Sequence, residues 1–235
     1  MLVNPNVAHP RWGLWDVLIT LVGYFVLAAA SAMVLAALSA PLAWQILIGG
    51  FVPWIALAGW PLFSTTVRGN GPRIDLRLRL TWRDAGWGVV GGAAALLISV
   101  VTAAITAAIF GDFTSLAGEV GAELAALGNG WLLLAFGLMV VVGAPIAEEL
   151  AFRGLFYAAL RRRGVGTVLA VGSTAVAFAL FHLEPTRIGV LLGIGIVLGI
   201  VRWRTDSLGA AMVAHGVVNA PAAVFIIMGL PGVAP

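Results

Sequence analysis

The sequence predicts an all-α polytopic membrane protein with about seven transmembrane helices, or eight if one span escapes recognition. Of its 235 residues, 61% are hydrophobic and 10% are charged, whereas soluble globular proteins carry about 45–50% apolar and about 25% charged residues. The mean hydropathy is +1.06. This composition excludes a soluble enzyme, a disordered chain and a nucleic-acid-binding protein. The whole chain, 1–235, is predicted to form one integral-membrane domain around an intramembrane cavity.

Seven segments are apolar over about the 20 residues that a membrane-spanning helix needs. The fifth and sixth are shorter than the others and contain polar residues. In order, the segments are Leu14–Leu38, Ala43–Phe63, Ala85–Phe110, Trp131–Tyr157, Thr167–His182, Ile188–Val201 and Leu208–Leu230. Tryptophans stand near the ends of most of them, where aromatic side chains meet the lipid headgroups.

The arginines predict which ends of the spans face the cytoplasm. If the N-terminus is cytoplasmic, eleven of the 13 basic residues fall on the inner side, only Arg187 falls outside, and Arg153 lies within a span. Positive residues concentrate on the cytoplasmic side of membrane proteins. The sequence therefore predicts an integral protein of the plasma membrane with a cytoplasmic N-terminus.

Two loops have patterns of their own. Apolar and polar residues alternate over Ile74–Arg83, and this period of two predicts an extended segment on the inner leaflet with its arginines toward anionic lipid. A basic anchor that only fixes topology is the alternative. In Thr114–Leu127 the apolar residues recur at helical spacing, which predicts a short amphipathic helix on the outer surface.

Few ionisable side chains fall inside the predicted spans, and such groups are functional candidates because they are costly in lipid. They are Glu148, Glu149, Arg153, His182 and His215, accompanied by Asn219. Two acidic residues at the centre of the fourth span would cost roughly 5–7 kcal/mol on the insertion scale, about as much as its apolar residues contribute. The carboxylates therefore need partners or water.

Helical spacing assigns the two carboxylates different neighbours. Glu149 and Arg153 are four residues apart and share one face of a helix, which predicts a structural ion pair. Glu148 points about 100° away from Glu149. Glu148 is therefore the carboxylate that is left to face a cavity.

The histidines pair with neighbours in the same way. Phe178 and His182 are four residues apart, and so are His215 and Asn219. Counted at about 1.5 Å per residue from the flanking arginines, Glu148, His182, His215 and Asn219 fall within roughly 12 Å of one another along the membrane normal. Three different spans are thus predicted to bring these groups to one level.

Three motifs resemble those of a known family. Glu148–Arg153 reads EELAFR, Phe178–His182 reads FALFH and His215–Asn219 reads HGVVN. In this order and on the fourth, fifth and seventh spans, they resemble the EExxxR, FxxxH and HxxxN motifs of the CAAX-type prenyl-protease and bacteriocin-processing (CPBP, or Abi) family of intramembrane proteases. The resemblance covers about residues 131–219, the predicted catalytic core.

The resemblance implies roles for four residues. Glu148 and His182 would activate water, and His215 with Asn219 would stabilise the oxyanion. Glu149, Arg153 and Phe178 are predicted to support the site structurally. Donors aimed at a developing oxyanion contribute roughly 3–4 kcal/mol each.

The reaction is predicted to need no metal, although members of the family are often labelled metalloproteases. Glu148, His182 and His215 would be the ligands of a zinc-like divalent ion in the alternative. No HExxH helix is present, however, and Asn219 stands where a second ligand of the last motif would be. Cysteine is absent, which excludes thiolate catalysis and cysteine-bound metal.

The sequence therefore predicts an intramembrane endopeptidase that depends on glutamate. Its partners would be membrane lipid and a peptide or protein substrate: a prenylated C-terminal peptide, a processed peptide precursor or the tail of a membrane protein. The alternative is a protein without enzymatic activity, namely a membrane scaffold, an immunity factor or a transporter-like protein that keeps the same buried polar cluster.

Overall fold

The computed structural model describes residues 9–230 and contains helices and turns but no strand over that range. This confirms the predicted fold class. The helices are α1 (Leu14–Ala37), α2 (Leu42–Arg68), α3 (Pro72–Asp75), α4 (Trp82–Phe110), α5 (Leu116–Ala126), α6 (Gly130–Arg162), α7 (Thr167–Phe181), α8 (Ile188–Thr205) and α9 (Leu208–Ile227).

Six of the seven predicted spans are long and apolar enough to cross a membrane within the described range. The fifth, α7, has 15 residues and is about 22 Å long at 1.5 Å per residue, shorter than the roughly 30 Å of a bilayer core. The prediction of seven full spans therefore changes to six spans and one short helix. A single 3₁₀ turn, Pro185–Arg187, then leads into α8.

Glycines allow the central helices to approach closely. A Cβ atom on Gly92 of α4 would lie 2.5 Å from Cβ of Val217 on α9, and one on Gly195 of α8 would lie 3.0 Å from Cα of Ala175 on α7. Both distances are shorter than ordinary van der Waals contact. These glycines therefore serve helix packing, because small residues let two helix backbones come close together.

The basic segments meet at one end of the helices. Arg162 donates to the backbone carbonyls of Pro10 and Trp12, at 2.7 and 2.8 Å, and Arg79 donates to the carbonyl of Thr205 at 2.9 Å. We call this the arginine-rich end. That it faces the cytoplasm stays a prediction.

The segment Ile74–Arg83 is only partly extended, so the prediction for it is wrong at both ends. Its first residues belong to α3, and α4 begins at Trp82. Leu76 between them is fully buried. Arg77 has a left-handed backbone, with φ of 57°. Residues 77–80 dock on α9, where the carbonyls of Arg77 and Arg79 accept hydrogen bonds from the first backbone N–H groups of that helix. Unpaired N–H groups at a helix start need such acceptors.

The predicted amphipathic helix forms as α5, and Ser115 caps its N-terminus through a hydrogen bond from the backbone N–H of Gly118. Leu124 is fully buried and packs with Leu133, Phe136 and Ile226. The apolar face of α5 is therefore held against the spans.

Candidate active site

A cavity of about 430 Å³ lies among α1, α2, α4, α5, α6, α7, α8 and α9, a volume typical of ligand sites. Its lining combines a wide apolar surface with a few polar groups. The polar residues are Tyr24, Gln45, Ser99, Ser115, Glu148, His182, Glu184, Arg187, His215 and Asn219. All four residues with predicted catalytic roles therefore face one cavity.

Glu148 lies between the two imidazoles. Its Oε2 atom is 3.8 Å from Nε2 of His182 and also 3.8 Å from Nε2 of His215. This oxygen is buried and accepts no hydrogen bond from any described residue. A distance of 3.8 Å is too long for a direct hydrogen bond, but one water molecule can bond to both atoms of such a pair.

The short helix α7 places His182 at this level. His182 is the residue at the C-terminal end of α7, and Leu183 after it has a left-handed backbone, with φ of 57°. The Nδ1 atom of His182 lies 2.8 Å from the carbonyl oxygen of Phe178. A carbonyl only accepts, so Nδ1 carries the hydrogen, and in the neutral ring Nε2 presents its lone pair to Glu148.

Glu149 joins two partners through one oxygen. Its Oε1 accepts from Arg153 at 2.8 Å and lies 3.0 Å from Nδ1 of His215. The Glu149 and Arg153 side chains are both fully buried, and Arg153 also donates to the carbonyl of Gly195 at 2.9 Å. The predicted ion pair is present, and it extends to the histidine of the third motif.

Phe178 packs against the charged and imidazole groups of the site. Its ring centroid is 4.6 Å from that of His182 and 5.7 Å from that of His215. The guanidinium of Arg153 stacks on the same ring at 4.6 Å, a favourable cation–π distance. Phe178 thus orients three side chains by contact.

Asn219 pairs with a backbone carbonyl that Pro145 leaves without a partner. In the π-helical turn Met139–Gly143, the N–H of Ala144 bonds to the carbonyl of Met139, five residues back. By the same spacing the carbonyl of Val140 would pair with the nitrogen of Pro145, which carries no hydrogen. Nδ2 of Asn219 donates to the Val140 carbonyl instead, at 2.9 Å.

An ion pair closes one side of the cavity. Oε2 of Glu184 accepts from Arg187 at 2.8 Å and from the backbone N–H of Leu116, the first residue of α5, at 3.2 Å. The turn after α7 is thereby joined to α5. This side lies at the opposite end of the helices from the arginine-rich end.

The metal alternative can be compared with the positions of its ligands. Oε2 of Glu148 lies 3.8 Å from Nε2 of each of the two histidines, His182 and His215. Within residues 9–230, however, no three His, Cys, Asp or Glu side chains are arranged so as to hold a metal ion. That the reaction needs no metal stays a prediction.

Residues 129–221 match the family model described as Rce1-like type II CAAX prenyl endopeptidase. We call these residues the Rce1-like segment; it begins before α6, ends within α9 and contains all three motifs. The match confirms the resemblance over this segment. At the level of the family, it supports a CAAX-type intramembrane protease that acts on a peptide or protein. No curated protein and no solved structure matches the chain.

Sequence reasoning missed the polar groups that lie outside the Rce1-like segment. Tyr24 and Gln45 reach the cavity from the first two spans, and Ser99 reaches it from α4. Each is a polar side chain in an apolar run, which is a signal the sequence contains. Nothing in the sequence says which of these runs surround the motif helices.

Proposed function

We propose that this protein is an intramembrane endopeptidase in which Glu148 and His182 activate water and His215 and Asn219 bind the oxyanion. The observation that carries the proposal is that Oε2 of Glu148 is buried, accepts no hydrogen bond from residues 9–230 and lies 3.8 Å from both imidazole Nε2 atoms. A carboxylate in that position is costly unless it acts on something that enters the cavity.

Water activation uses two acceptors. A water molecule in the cavity donates one hydrogen to Glu148 and the other to Nε2 of His182, whose Nδ1 hydrogen is held by Phe178. As the water oxygen attacks the peptide carbonyl, Glu148 takes its proton. That proton then passes to the leaving amine, so that one water molecule is consumed for each peptide bond broken.

Oxyanion binding uses two donors. His215 donates Nδ1–H to Glu149, and in this role it also carries a hydrogen on Nε2, directed into the cavity. Asn219 has two amide hydrogens, one of which is held by Val140, and the other is available to the oxyanion.

Charge balance supports this assignment. The buried charge of Arg153 is matched by Glu149, with which it pairs at 2.8 Å. A doubly protonated His215 is then matched by Glu148. The charges of these four groups sum to zero, which limits the free-energy cost of holding them away from water.

The substrate is a peptide segment that enters an apolar cavity. A prenylated C-terminal peptide, a peptide precursor and the tail of a membrane protein all fit this description. We further propose a plasma-membrane protein with a cytoplasmic N-terminus, by the positive-inside rule. The side of the cavity closed by Glu184 and Arg187 then faces away from the cytoplasm.

The test compares peptide termini by mass spectrometry in host membranes that express the wild type, Glu148→Gln or Glu123→Gln at equal levels. Glu123 is exposed on α5, so Glu123→Gln is the same chemical change away from the cavity. We expect new termini with the wild type and Glu123→Gln but not with Glu148→Gln. Termini that persist in a folded Glu148→Gln variant would overturn the mechanism. A function retained by Glu148→Gln without new termini would favour the scaffold, immunity or transporter alternative.

A further inference from the structure

A second cavity, of about 830 Å³, lies between α6 and α9 at the arginine-rich end. We call it the α6–α9 groove. It shares no lining residue with the catalytic cavity. Its lining residues are Arg73, Leu78, Arg79, Leu80, Val141, Val142, Pro145, Ile146, Gly209, Met212, Val213 and Gly216.

The apolar part of the groove is long enough to hold part of one acyl chain of a lipid. On α9 it runs from Gly209, the second residue of the helix, to Gly216. Seven residues at 1.5 Å each give about 10 Å. On α6 the facing side chains Val142 and Ile146 are 49% and 42% exposed, so they are open to an apolar chain lying along the helices.

Two guanidinium groups stand at the head of the groove. Arg79 is fixed there because its side chain donates to the carbonyls of Thr205 and Asp206, at 2.9 and 3.3 Å. Arg73 lines the same end. The nearby carboxylate of Asp206 is already paired with Arg77 and Arg202, at 3.2 and 3.1 Å. The head of the groove is therefore positively charged.

We propose that the α6–α9 groove binds one anionic phospholipid. The headgroup phosphate would contact Arg73 and Arg79, and one acyl chain would lie along Val142, Ile146 and Met212. An apolar face alone would suit any lipid, but two arginines at headgroup level favour a phosphate that carries net negative charge. The occupant would pack against the two helices that carry Glu148 and His215.

Native mass spectrometry of the whole protein in an uncharged detergent tests this proposal. The protein is titrated with phosphatidylglycerol or with phosphatidylcholine of the same acyl chains. We expect one phosphatidylglycerol to bind saturably and at least about fivefold more tightly than phosphatidylcholine. Arg73→Gln should lower the affinity for phosphatidylglycerol about fivefold, which is the loss expected when one arginine is removed from a lipid headgroup site.

Two matched controls separate a site from general attraction. Arg83→Gln removes the same charge from an exposed position outside the groove and should change the affinity less than twofold. Ile146→Trp fills the groove and should lower the affinity for phosphatidylglycerol at least fivefold. Leu97→Trp, at a 67% exposed position on α4, should leave this affinity unchanged. The tryptophan pair tests the site even if Arg73→Gln fails to fold.

Three results would overturn the proposal. Equal losses in Arg73→Gln and Arg83→Gln would mean diffuse electrostatic attraction. Equal affinity for phosphatidylcholine and phosphatidylglycerol would assign the groove to an apolar chain whatever its headgroup. Unchanged phosphatidylglycerol binding in a folded Ile146→Trp variant would place the lipid elsewhere.

Discussion

Oε1 of Glu149 and Nδ1 of His215 lie 3.0 Å apart, although the residues are separated by 66 positions in sequence. The same oxygen accepts from Arg153 at 2.8 Å. An ionised carboxylate only accepts, so the hydrogen sits on Nδ1 of His215 and Nε2 is turned toward Glu148. Two adjacent glutamates therefore face the same imidazole, Glu149 at its Nδ1 atom and Glu148 at its Nε2 atom.

Replacing Glu149 by Gln should damage both stability and cleavage. Arg153 would keep its buried charge without a counter-charge, which costs about 3–5 kcal/mol of unfolding free energy. His215 would lose the carboxylate that balances its doubly protonated form, and we expect the cleavage rate to fall at least about 100-fold, by analogy with the orienting carboxylate of a catalytic triad. Denaturant unfolding in detergent and the rate of terminus production measure the two effects.

A double variant separates these effects. Glu149→Gln combined with Arg153→Met removes both members of the pair, so most of the lost stability should return. The cleavage rate should stay low, because His215 still lacks its carboxylate. If cleavage recovers together with stability, Glu149 acts only through Arg153.

Asn219→Ala should lower stability through the backbone of α6. The carbonyl of Val140 would lose the Asn219 donor that it has in place of Pro145, and an unpaired carbonyl away from water costs about 1–3 kcal/mol. In a Pro145→Ala background the new backbone N–H can pair within the helix. Asn219→Ala should then cost less stability, which thermal unfolding of the four variants would measure.

Cleavage in the same four variants tests the second role of Asn219. If its other amide hydrogen binds the oxyanion, Asn219→Ala should reduce the rate in both backgrounds by at least about 100-fold, the loss typical of one oxyanion donor. A rate restored by Pro145→Ala would contradict that role and leave Asn219 as a helix-packing residue.

Local periodicity was enough to predict the fold, but it could not predict the features that depend on contacts between distant segments. Apolar runs predicted the long helices, and the four-residue spacing predicted the pair of Glu149 and Arg153, because both depend on near neighbours. The docking of residues 77–80 on α9 depends on acceptors for a distant helix start, so alternation alone misplaced it. The contact of Glu149 with His215 joins α6 to α9, and no pattern within either helix contains it.

Phe178→Leu should loosen the site without changing its charges. The ring contacts both imidazoles and the guanidinium of Arg153, so we expect a loss of about 1–2 kcal/mol in stability and a fall of about tenfold in cleavage. Phe181→Leu is the matched control on α7, because its ring packs on Tyr24, Phe25 and Phe152. A larger loss of cleavage in Phe181→Leu would contradict this role.

Removal of divalent metal should leave cleavage unchanged. The proposed chemistry needs only Glu148, His182, His215 and Asn219 with water, so purified protein treated with a strong chelator should keep its full rate. Elemental analysis of the same sample should show far less than one metal ion per chain. Loss of the rate, with recovery when zinc is returned, would instead favour Glu148, His182 and His215 as ligands.

Gly209→Ala should detach residues 77–80 from α9. A Cβ atom at position 209 would lie 2.5 Å from the carbonyl oxygen of Arg79, which also accepts from the backbone N–H of Gly209 and from the hydroxyl of Ser207, at 3.1 and 2.7 Å. The clash must push residues 77–80 away, and overpacking of this kind costs about 1–3 kcal/mol.

Trypsin reports the detachment directly, because it cleaves after arginine and needs an accessible, undocked backbone. We expect Gly209→Ala to be cut after Arg77 or Arg79 several times faster than the wild type. Gly172→Ala on α7 is the control, since a Cβ there meets nothing within 4 Å and alanine favours a helix by about 0.5–1 kcal/mol. Equal cutting rates in the two variants would show that the hydrogen bonds to α9 do not hold this segment in place.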